Sequence, residues 1–435
     1  MQLEFQQRRD RFMAKIGTGT AIFNSAPTAV MHNDVAYNFR QDSNFFYLTG
    51  FNETNAVAVF APHHDEHKFI LFVQPKDAEK ETWSGYRVGV EAAKEQYGAD
   101  VVYPIVELDE KLWQYVEKSS RIYYHMGRDR SFNDRIISLW QRCLRAYPKQ
   151  GMRPIAIEDP APSLDPLRQV KSDHELALMR QAMAIGAEAH HLAMQLRQPG
   201  RYEYEIQAEI ERLFRLRGGL GPAYPSIVAS GVNACILHYT ENDRQMQDGE
   251  LLLVDAGCSD GYYNSDITRT YPVGQRFTEP QRILYELVLT AQLKAIEQVQ
   301  PGHAWNLFHD AAVRTIVTGL LALGLLQGDI EEIIKEEKYK PFFMHGTGHW
   351  LGLDVHDVGV RQIGETWQNF YPGHVVTVEP GIYIGPNFQP FAGQPEVPDC
   401  WRGIGIRIED DVLVTATGNE VMTAAVPKAI AALER

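Results

Sequence analysis

GELLLVDAG (residues 249–257) and GHVVTVEPG (residues 373–381) follow one pattern: a glycine, an apolar run, an acidic residue and a second glycine. The apolar runs are typical of buried strands, and the acidic residues in register are Asp255 and Glu379. The match predicts two similar elements that place carboxylates at equivalent positions.

Helix signals in the C-terminal half repeat in the same order. A capping box opens a long helix to about residue 197, and another opens a helix to about residue 299. Each helix ends at Gln-Pro-Gly, at 198–200 and at 300–302, and a second helix follows. The repeats predict two duplicated halves related by a pseudo-twofold axis. The capping pairs are Ser172 with Glu175 and Thr278 with Gln281.

A tight hairpin is predicted after the first acidic strand. Asp260-Gly261 is a dipeptide favoured in two-residue type I′ turns. Counting outward from that turn places Asp255 directly opposite Asp266 on one face, with Cβ atoms about 5 Å apart. Carboxylates at that distance repel each other, so either one is protonated or a cation lies between them.

Two further acidic residues end apolar runs in the second half. Glu379 follows VVTV, and Glu409 lies in GIGIRIEDD (403–411). The long loop 384–400 separates them, so their register is not predictable. Four carboxylates with a histidine favour Mn²⁺ or a similar ion over a structural zinc. One ion could hardly use them all, so the count predicts two ions that share carboxylates and hold a bridging hydroxide.

Histidines are concentrated just before the second acidic strand, in MHGTGHWLGLDVHD (344–357). The glycines between them favour a turn over the helix of an HExxH zinc motif. The candidates are His345, His349 and His356. His238 is the candidate from the corresponding region of the first half, whereas His190 and His191 have no such neighbours and are interpreted as surface residues.

Length and composition indicate a globular protein of two domains. A chain of 435 residues exceeds what one core usually serves. Residues 1–165 are expected to form an α/β domain, with strands within 55–62 and 68–75, and residues 170–435 a second domain. The proline-rich segment 151–169 is interpreted as an irregular connection.

The net charge, the lack of a long apolar run and the polar N-terminal segment argue against several classes of protein. A net charge of −14 argues against nucleic acid as a partner. No apolar run approaches the roughly 20 residues of a membrane span, and the N-terminus MQLEFQQRRDRF is too polar for a signal peptide. We expect a cytoplasmic protein whose four scattered cysteines are reduced.

These motifs resemble those of the pita-bread metallopeptidases, specifically the Xaa-Pro aminopeptidases (aminopeptidase P). The resemblance covers nearly the whole chain and implies an N-terminal α/β domain with a C-terminal pita-bread domain, an α/β (α+β) fold. It implies metal ligands at Asp255, Asp266, His349, Glu379 and Glu409, with Asp266 and Glu409 bridging two Mn²⁺ ions or other divalent ions. The motifs are VDAGCSDGYYNSDITRTYP (254–272), HGTGHWLGLDVHD (345–357), TVEPGIYI (377–384), GIRIED (405–410), VKSDHELALMRQA (170–182) and YNFRQDSNFFYLTGF (37–51).

The activity implied by the resemblance is hydrolysis of the bond that precedes a proline in second position of a peptide. A hydroxide that bridges the metals would attack the carbonyl. By resemblance, Glu379 takes the proton, His238 and His356 contact the substrate and stabilise developing charge, and His345 lines the site.

Three more residues match family positions. Arg407 would orient Asp255, or is a surface arginine, and Tyr383 would hydrogen-bond near the substrate. Trp83, in KETWSGYRVG (80–89), either reaches the site of a neighbouring subunit, which implies a homodimer or homotetramer, or lies in a domain core. The loop 359–373 is hard to align, so no arginine is carried over from it.

Two alternatives remain. Prolidase, a dipeptidase relative, shares all five ligands, but the loop 384–400 and the Trp83 segment look more like aminopeptidase P. The fold also serves as a non-catalytic binding module, which has lost metal ligands, whereas this chain keeps all five.

Overall fold

The computed structural model describes residues 2–150, 154 and 156–434. The chain divides into two compact units, Met1–Leu167 and Arg168–Arg435. The division falls inside a helix, Ala161–Gln169, so the connection predicted to be irregular contains regular structure. Leu164 is fully buried in this helix, and its N–H donates to the carbonyl of Pro160, which precedes the helix. Residues 151–153 and 155 of the predicted connection lie outside the described residues.

The first unit is an α/β sandwich built on a mixed sheet. The sheet has the strand order β6-β5-β4-β1-β7-β8, with antiparallel pairs on both sides of β4 and parallel pairs elsewhere. The strands are β1 Thr20–Asn24, β2 Val30–His32, β3 Val35–Ala36, β4 Val57–Phe60, β5 Phe69–Val73, β6 Val101–Pro104, β7 Ile122–Tyr123 and β8 Ile157–Glu158. The helices are α1 Gln2–Ile16, α2 Ser43–Thr49, α3 Ala78–Ser84, α4 Gly89–Tyr97, α5 Leu108–Val116, α6 Arg130–Gln150 and α7 Ala161–Gln169.

The two strands predicted in this unit are confirmed as β4 and β5. Every residue of both strands is buried, which explains their continuous apolar runs, since a strand covered on both faces shows no polar alternation.

The second unit packs helices against small antiparallel sheets. Its helices are α8 Asp173–Leu196, α9 Glu203–Leu216, α10 Glu279–Ile296, α11 Asn306–Ala322, α12 Ile330–Lys335 and α13 Ile430–Leu433. Its strands are β9 Gly221–Pro222, β10 Ile227–Ser230, β11 Leu251–Asp255, β12 Cys258–Asp260, β13 Tyr263–Asn264, β14 Thr268–Pro272, β15 Gln362–Ile363, β16 Thr366–Trp367, β17 Val375–Val378, β18 Gly381–Ile384, β19 Ile404–Arg407, β20 Asp410–Val414 and β21 Asn419–Val421.

The predicted duplication is visible in the second unit. Both capping boxes form, at the starts of α8 and α10. In each half the first helix packs against the second, α8 against α9 and α10 against α11. Gly200 and Gly302, in the two Gln-Pro-Gly turns, have φ of 88° and 86°. Gly200 donates to the carbonyl of Met246, and Gly302 to that of Phe370, each at 2.9 Å. One apolar core, which includes residues of all four helices, joins the halves.

The predicted hairpin turn is wrong by one residue, which shifts the partner of Asp255 by two residues. Ser259 pairs with Asn264 and Asp255 with Thr268, so the turn residues are Gly261 and Tyr262, not Asp260-Gly261. Both turn residues have positive φ, 53° and 74°, as a type I′ turn requires. Asp266 therefore lies diagonally across from Asp255, two residues from the paired Thr268, and stays on the same face.

No helix among the described residues combines the length and the apolar character needed to cross a membrane.

Candidate metal centre

The first two acidic residues lie where the first strand pair opens. Asp255 ends β11, and Asp266 precedes β14 on the paired strand. The hydroxyl of Tyr224 lies 2.5 Å from Asp255 Oδ1 and 2.6 Å from Asp266 Oδ1. One tyrosine thus contacts both carboxylates, which lie diagonally across the two paired strands.

Glu379 and Glu409 lie at the corresponding opening of the second strand pair. β17 pairs with β20 up to Val378 and Asp410, and the same register resumes between β18 and β19. Continued through the gap, this register places Glu379 opposite Glu409. Their backbone N–H groups leave the ladder, because Glu379 donates to Thr347 and Glu409 to Thr268. At the break, the backbone of Glu379 thus contacts the histidine loop, and that of Glu409 contacts the first half.

His349 is held by a loop that packs against β17. Its N–H donates to Thr377 Oγ1, and its carbonyl accepts the Thr377 N–H at 2.9 Å. Its Nδ1 lies 2.9 Å from the carbonyl of Trp350 and must therefore donate, which leaves Nε2 free to act as a ligand. Nε2 lies 3.3 Å from Asp266 Oδ2 and 3.6 Å from Glu379 Oε1.

These groups form a buried cluster that fits a divalent metal. One ligand atom each from Asp266, His349 and Glu409 lies within 4.8 Å of the other two. Asp255 joins the cluster through Tyr224, and Glu379 through His349. Carboxylate oxygens and an imidazole nitrogen suit Mn²⁺, Zn²⁺ and related ions.

The electrostatics of the cluster are dominated by the burial of closely spaced carboxylates. Burial raises the pKa of Glu379 to about 7 and holds that of Glu409 well above its ordinary value, and neighbouring carboxylates add to both shifts. Burial would lower the pKa of His349, but the hydrogen bond to Asp266 and the charge of Glu379 raise it to about 9. Binding of a divalent cation would favour the deprotonated forms of these groups.

A buried network links the cluster to its surroundings. Arg407 Nη2 donates to Asp255 Oδ2 (2.7 Å), and Nη1 donates to the hydroxyl of Tyr383 (3.0 Å). The Tyr383 hydroxyl lies 2.8 Å from His345 Nε2. Arg407 Nε and Glu409 Oε2 share the hydroxyl of Thr268. Since Arg407 is only 4% exposed, the surface alternative for this arginine is wrong.

The other predicted histidines surround the cluster. The rings of His356 and His349 lie 4.3 Å apart in an edge-to-face arrangement. His345 Nδ1 lies 3.9 Å from Glu379 Oε2, and burial lowers the pKa of His345 to about 3. His238 is exposed and near enough that its charge contributes to lowering the pKa of both His345 and His356.

Comparison with known proteins identifies the family of the chain. Sequence profiles match for "Metallopeptidase family M24" over residues 177–416, more than half of the chain, and for "Aminopeptidase P, N-terminal domain" over residues 5–123. The chain belongs to metallopeptidase family M24. The Xaa-Pro aminopeptidase of Haemophilus influenzae is 43% identical over 99% of this chain and 96% of its own length. That of Escherichia coli is 41% identical over 98% and 95%.

Solved structures of the M24 family show the same architecture. Aminopeptidase PepP of Pseudomonas aeruginosa has a TM-score of 0.94 and 44% identity, covering 100% of this chain and 97% of that one. A zinc-substituted Escherichia coli aminopeptidase P in complex with product has a TM-score of 0.93 and 40% identity, covering 100% and 97%. The predicted α/β fold with a pita-bread domain is confirmed.

Several residues of this M24 site were not predicted. Tyr224 and Thr268 contact the carboxylates but carry no local signal, since tyrosine and threonine are ordinary strand residues. Arg361 lies in the loop from which no arginine was carried over. Its guanidinium lies 5.2 Å from the ring centre of Trp305, and its charge adds to burial in lowering the pKa of His356.

Two interpretations that concern residues outside the candidate metal cluster are wrong. Trp83 is 88% exposed at the end of α3, so the alternative that it lies in a domain core is wrong. His190 is fully buried under the first half, 3.0 Å from the carbonyl of Ala256, so its assignment to the surface is wrong. Its face of α8 packs on the core because the helix is apolar on more than one side.

Proposed function

We propose that the protein is an Xaa-Pro aminopeptidase, which hydrolyses the bond between an N-terminal residue and a following proline. The buried cluster of Asp266, His349 and Glu409 carries this proposal. The names of the bacterial relatives support the choice of substrate. A dedicated enzyme is needed because the amide nitrogen of proline has no hydrogen for an ordinary peptidase to hold.

Two Mn²⁺ ions are the proposed cofactors. Their ligands would be Asp255, Asp266, His349, Glu379 and Glu409. Bound divalent ions would supply a nucleophile from water at neutral pH and polarise the scissile carbonyl. The side chain of Glu379 is 18% exposed against 7% for Asp266, which supports Glu379 as the ligand that faces incoming water and takes its proton.

The histidines around the cluster are proposed to act on the peptide. His238 and His356 are exposed near the ligands, where they would donate hydrogen bonds to the carbonyl as negative charge develops. His345 would line the site, while Tyr383 and Arg407 hold His345 and Asp255 in fixed positions.

The test is metal removal and restoration. Chelator-treated protein should not cleave an Arg-Pro-Pro peptide, and two equivalents of Mn²⁺ should restore cleavage before the first proline. Full activity without metal would refute the proposal. An Arg-Pro dipeptide in parallel tests the dipeptidase alternative, because activity confined to the dipeptide would identify a prolidase.

The first unit is proposed to serve assembly and substrate access. The 88% exposure of Trp83 supports a contact with the site of another subunit in a homodimer or homotetramer. Sedimentation should then give a mass of two or four chains, and Trp83→Ala should raise KM. A cytoplasmic location is part of the same proposal.

A further inference from the structure

A buried carboxylate outside the metal centre remains without a role in the proposed reaction. Glu203 begins α9 and is 0% exposed. Its Oε1 accepts hydrogen bonds from the N–H (2.6 Å) and the hydroxyl (2.7 Å) of Ser230 and lies 3.4 Å from Asn233 Nδ2. Its Oε2 accepts from the hydroxyl of Tyr239 (2.7 Å) and the N–H of Arg244 (2.9 Å).

These donors all belong to one loop or its ends. The His238 loop, residues 231–243, begins after Ser230, the last residue of β10, and ends before Arg244. Tyr239 is 5% exposed and directly follows His238, which is exposed. Glu203 therefore holds both ends of the loop and the residue next to its histidine.

Apolar packing holds this loop only in part. Of its residues, Ala234 and Tyr239 join a small apolar cluster with the neighbouring strands. Val232 and Ile236 are 44% and 53% exposed. The position of His238 thus depends strongly on polar anchoring, which Glu203 supplies through five donors, together with the buried Asn242 near the end of the loop.

The second half shows that the fold itself does not require a carboxylate at this point. Glu203 N–H donates to the carbonyl of Arg244 at 3.0 Å, and Trp305 N–H donates to that of Gln368 at 2.8 Å, so Glu203 and Trp305 occupy equivalent positions in the duplicated halves. Trp305 packs among aromatic rings, including those of Trp350 and Phe370. The charge at this position is therefore particular to the half that carries His238.

We infer that Glu203 is a positioning residue for the peptidase reaction, which holds His238 at the site through Tyr239. This inference rests on the role proposed above for His238. A displacement of about 1 Å in a substrate-binding group can lower activity about a hundredfold, so an anchor one residue away affects turnover without touching the substrate.

The test combines two variants of different severity with His238→Ala. In the native chain, the backbone N–H groups of Ser230 and Arg244 donate to different carboxylate oxygens of Glu203. Glu203→Gln replaces one of these oxygens by an NH₂ group. Whichever way the glutamine amide is turned, one of the two backbone N–H groups then faces a donor instead of an acceptor. Tyr239→Phe removes only the hydroxyl that donates to Glu203 and also contacts Asp243. Tyr204→Phe, the same change at a half-exposed tyrosine of α9, is the matched control. All variants are assayed on Arg-Pro-Pro with saturating Mn²⁺, and Mn²⁺ binding is measured by calorimetry.

We expect Tyr239→Phe to lower kcat/KM about tenfold, Glu203→Gln to lower it further, and Tyr204→Phe to leave it unchanged. Mn²⁺ affinity should stay the same in all of them. In a His238→Ala background, adding Tyr239→Phe should produce no further loss, because both changes act through one group.

The outcomes separate the inference from the function on which it rests. If His238→Ala is impaired and the loss from Tyr239→Phe is equally large in both backgrounds, or if Tyr239→Phe is as active as the native chain, the inference is wrong. If His238→Ala is fully active, the proposed role of His238 fails, and the inference fails with it. Tyr239→Phe decides the matter if Glu203→Gln does not fold.

Discussion

At the scale of single residues, the hydroxyl of Tyr224 has the most direct effect on the geometry of the candidate metal centre. It contacts one oxygen each of Asp255 and Asp266, which the strand register leaves diagonal rather than opposite. A single hydroxyl therefore fixes the orientation of two carboxylates that would otherwise turn away from each other through mutual repulsion.

Tyr224→Phe is expected to weaken Mn²⁺ binding about 10- to 100-fold, because the phenyl ring keeps the packing but loses both contacts. Calorimetric titration of the metal-free variant measures this directly. Tyr262→Phe, the same change at a buried tyrosine of the hairpin turn, is the control. Unchanged affinity in Tyr224→Phe would show that the hydroxyl does not organise the ligands.

His190 gives the chain a pH dependence of stability that is separate from the metal centre. Burial and the charge of Arg269 lower its pKa to about 3, so the folded protein keeps it neutral while the unfolded chain protonates it below about 6.5. The unfolded state then binds the extra proton, and stability is lost as the pH falls from 6.5 toward 3, by up to about 1.4 kcal/mol per pH unit.

We expect His190→Gln to show a shallower loss of unfolding free energy between pH 6.5 and 5 than the native chain. Urea unfolding of metal-free protein at several pH values measures the slope, and His191→Gln is the neighbouring control. Parallel slopes for native chain and His190→Gln would contradict the buried neutral state.

At the scale of elements, the loop that carries His349 depends on contact between backbones. A Cβ at Gly348 would lie 1.9 Å from the carbonyl oxygen of Thr377, which β17 holds in place. A Cβ at Gly346, two residues earlier, would meet nothing within 4 Å. The glycine at 348 is therefore required for close approach, and the one at 346 is not.

Gly348→Ala should consequently displace His349 and lower kcat/KM at least about a hundredfold, while Gly346→Ala should stay within about twofold of the native chain. Assays on Arg-Pro-Pro at several Mn²⁺ concentrations distinguish weaker metal binding from slower turnover. Similar activities for the two variants would refute the close packing.

At the scale of the whole second unit, the proposed ligands of the metal centre come from both duplicated halves. Asp255 and Asp266 come from the first half, and His349, Glu379 and Glu409 from the second. Arg269 is a second bridge, because it is 0% exposed and donates to Asp410 and to the carbonyl of Glu409. Metal binding should thus stabilise the unit as a whole.

Mn²⁺ at about a hundred times its Kd is expected to stabilise the metal-free protein by about 2.7 kcal/mol, seen as a rise in melting temperature. Glu409→Gln should lose most of this rise, because it alters a ligand between the halves. A rise of equal size in Glu409→Gln would place the stabilising ion elsewhere.

Much of the second unit was predictable from local pattern. Capping boxes, Gln-Pro-Gly turns and apolar runs act over a few residues, and all of them formed as predicted. The proline-rich connection was misjudged, because part of it forms α7, in which Leu164 is buried. The hairpin turn was wrong by one residue, because Asp260-Gly261 and Gly261-Tyr262 are both compatible with a two-residue turn and only the packing of the strands distinguishes them.

By itself, the sequence determined the two acidic strands, the helix starts and the acidic and histidine residues of the candidate metal centre, since each depends on residue type and short spacing. Only the tertiary structure decided that Tyr224 joins two carboxylates, that Glu379 faces Glu409, and that Glu203 holds the His238 loop. These partners lie tens of residues apart, and their contacts arise from the packing of strands and loops, which no local pattern encodes.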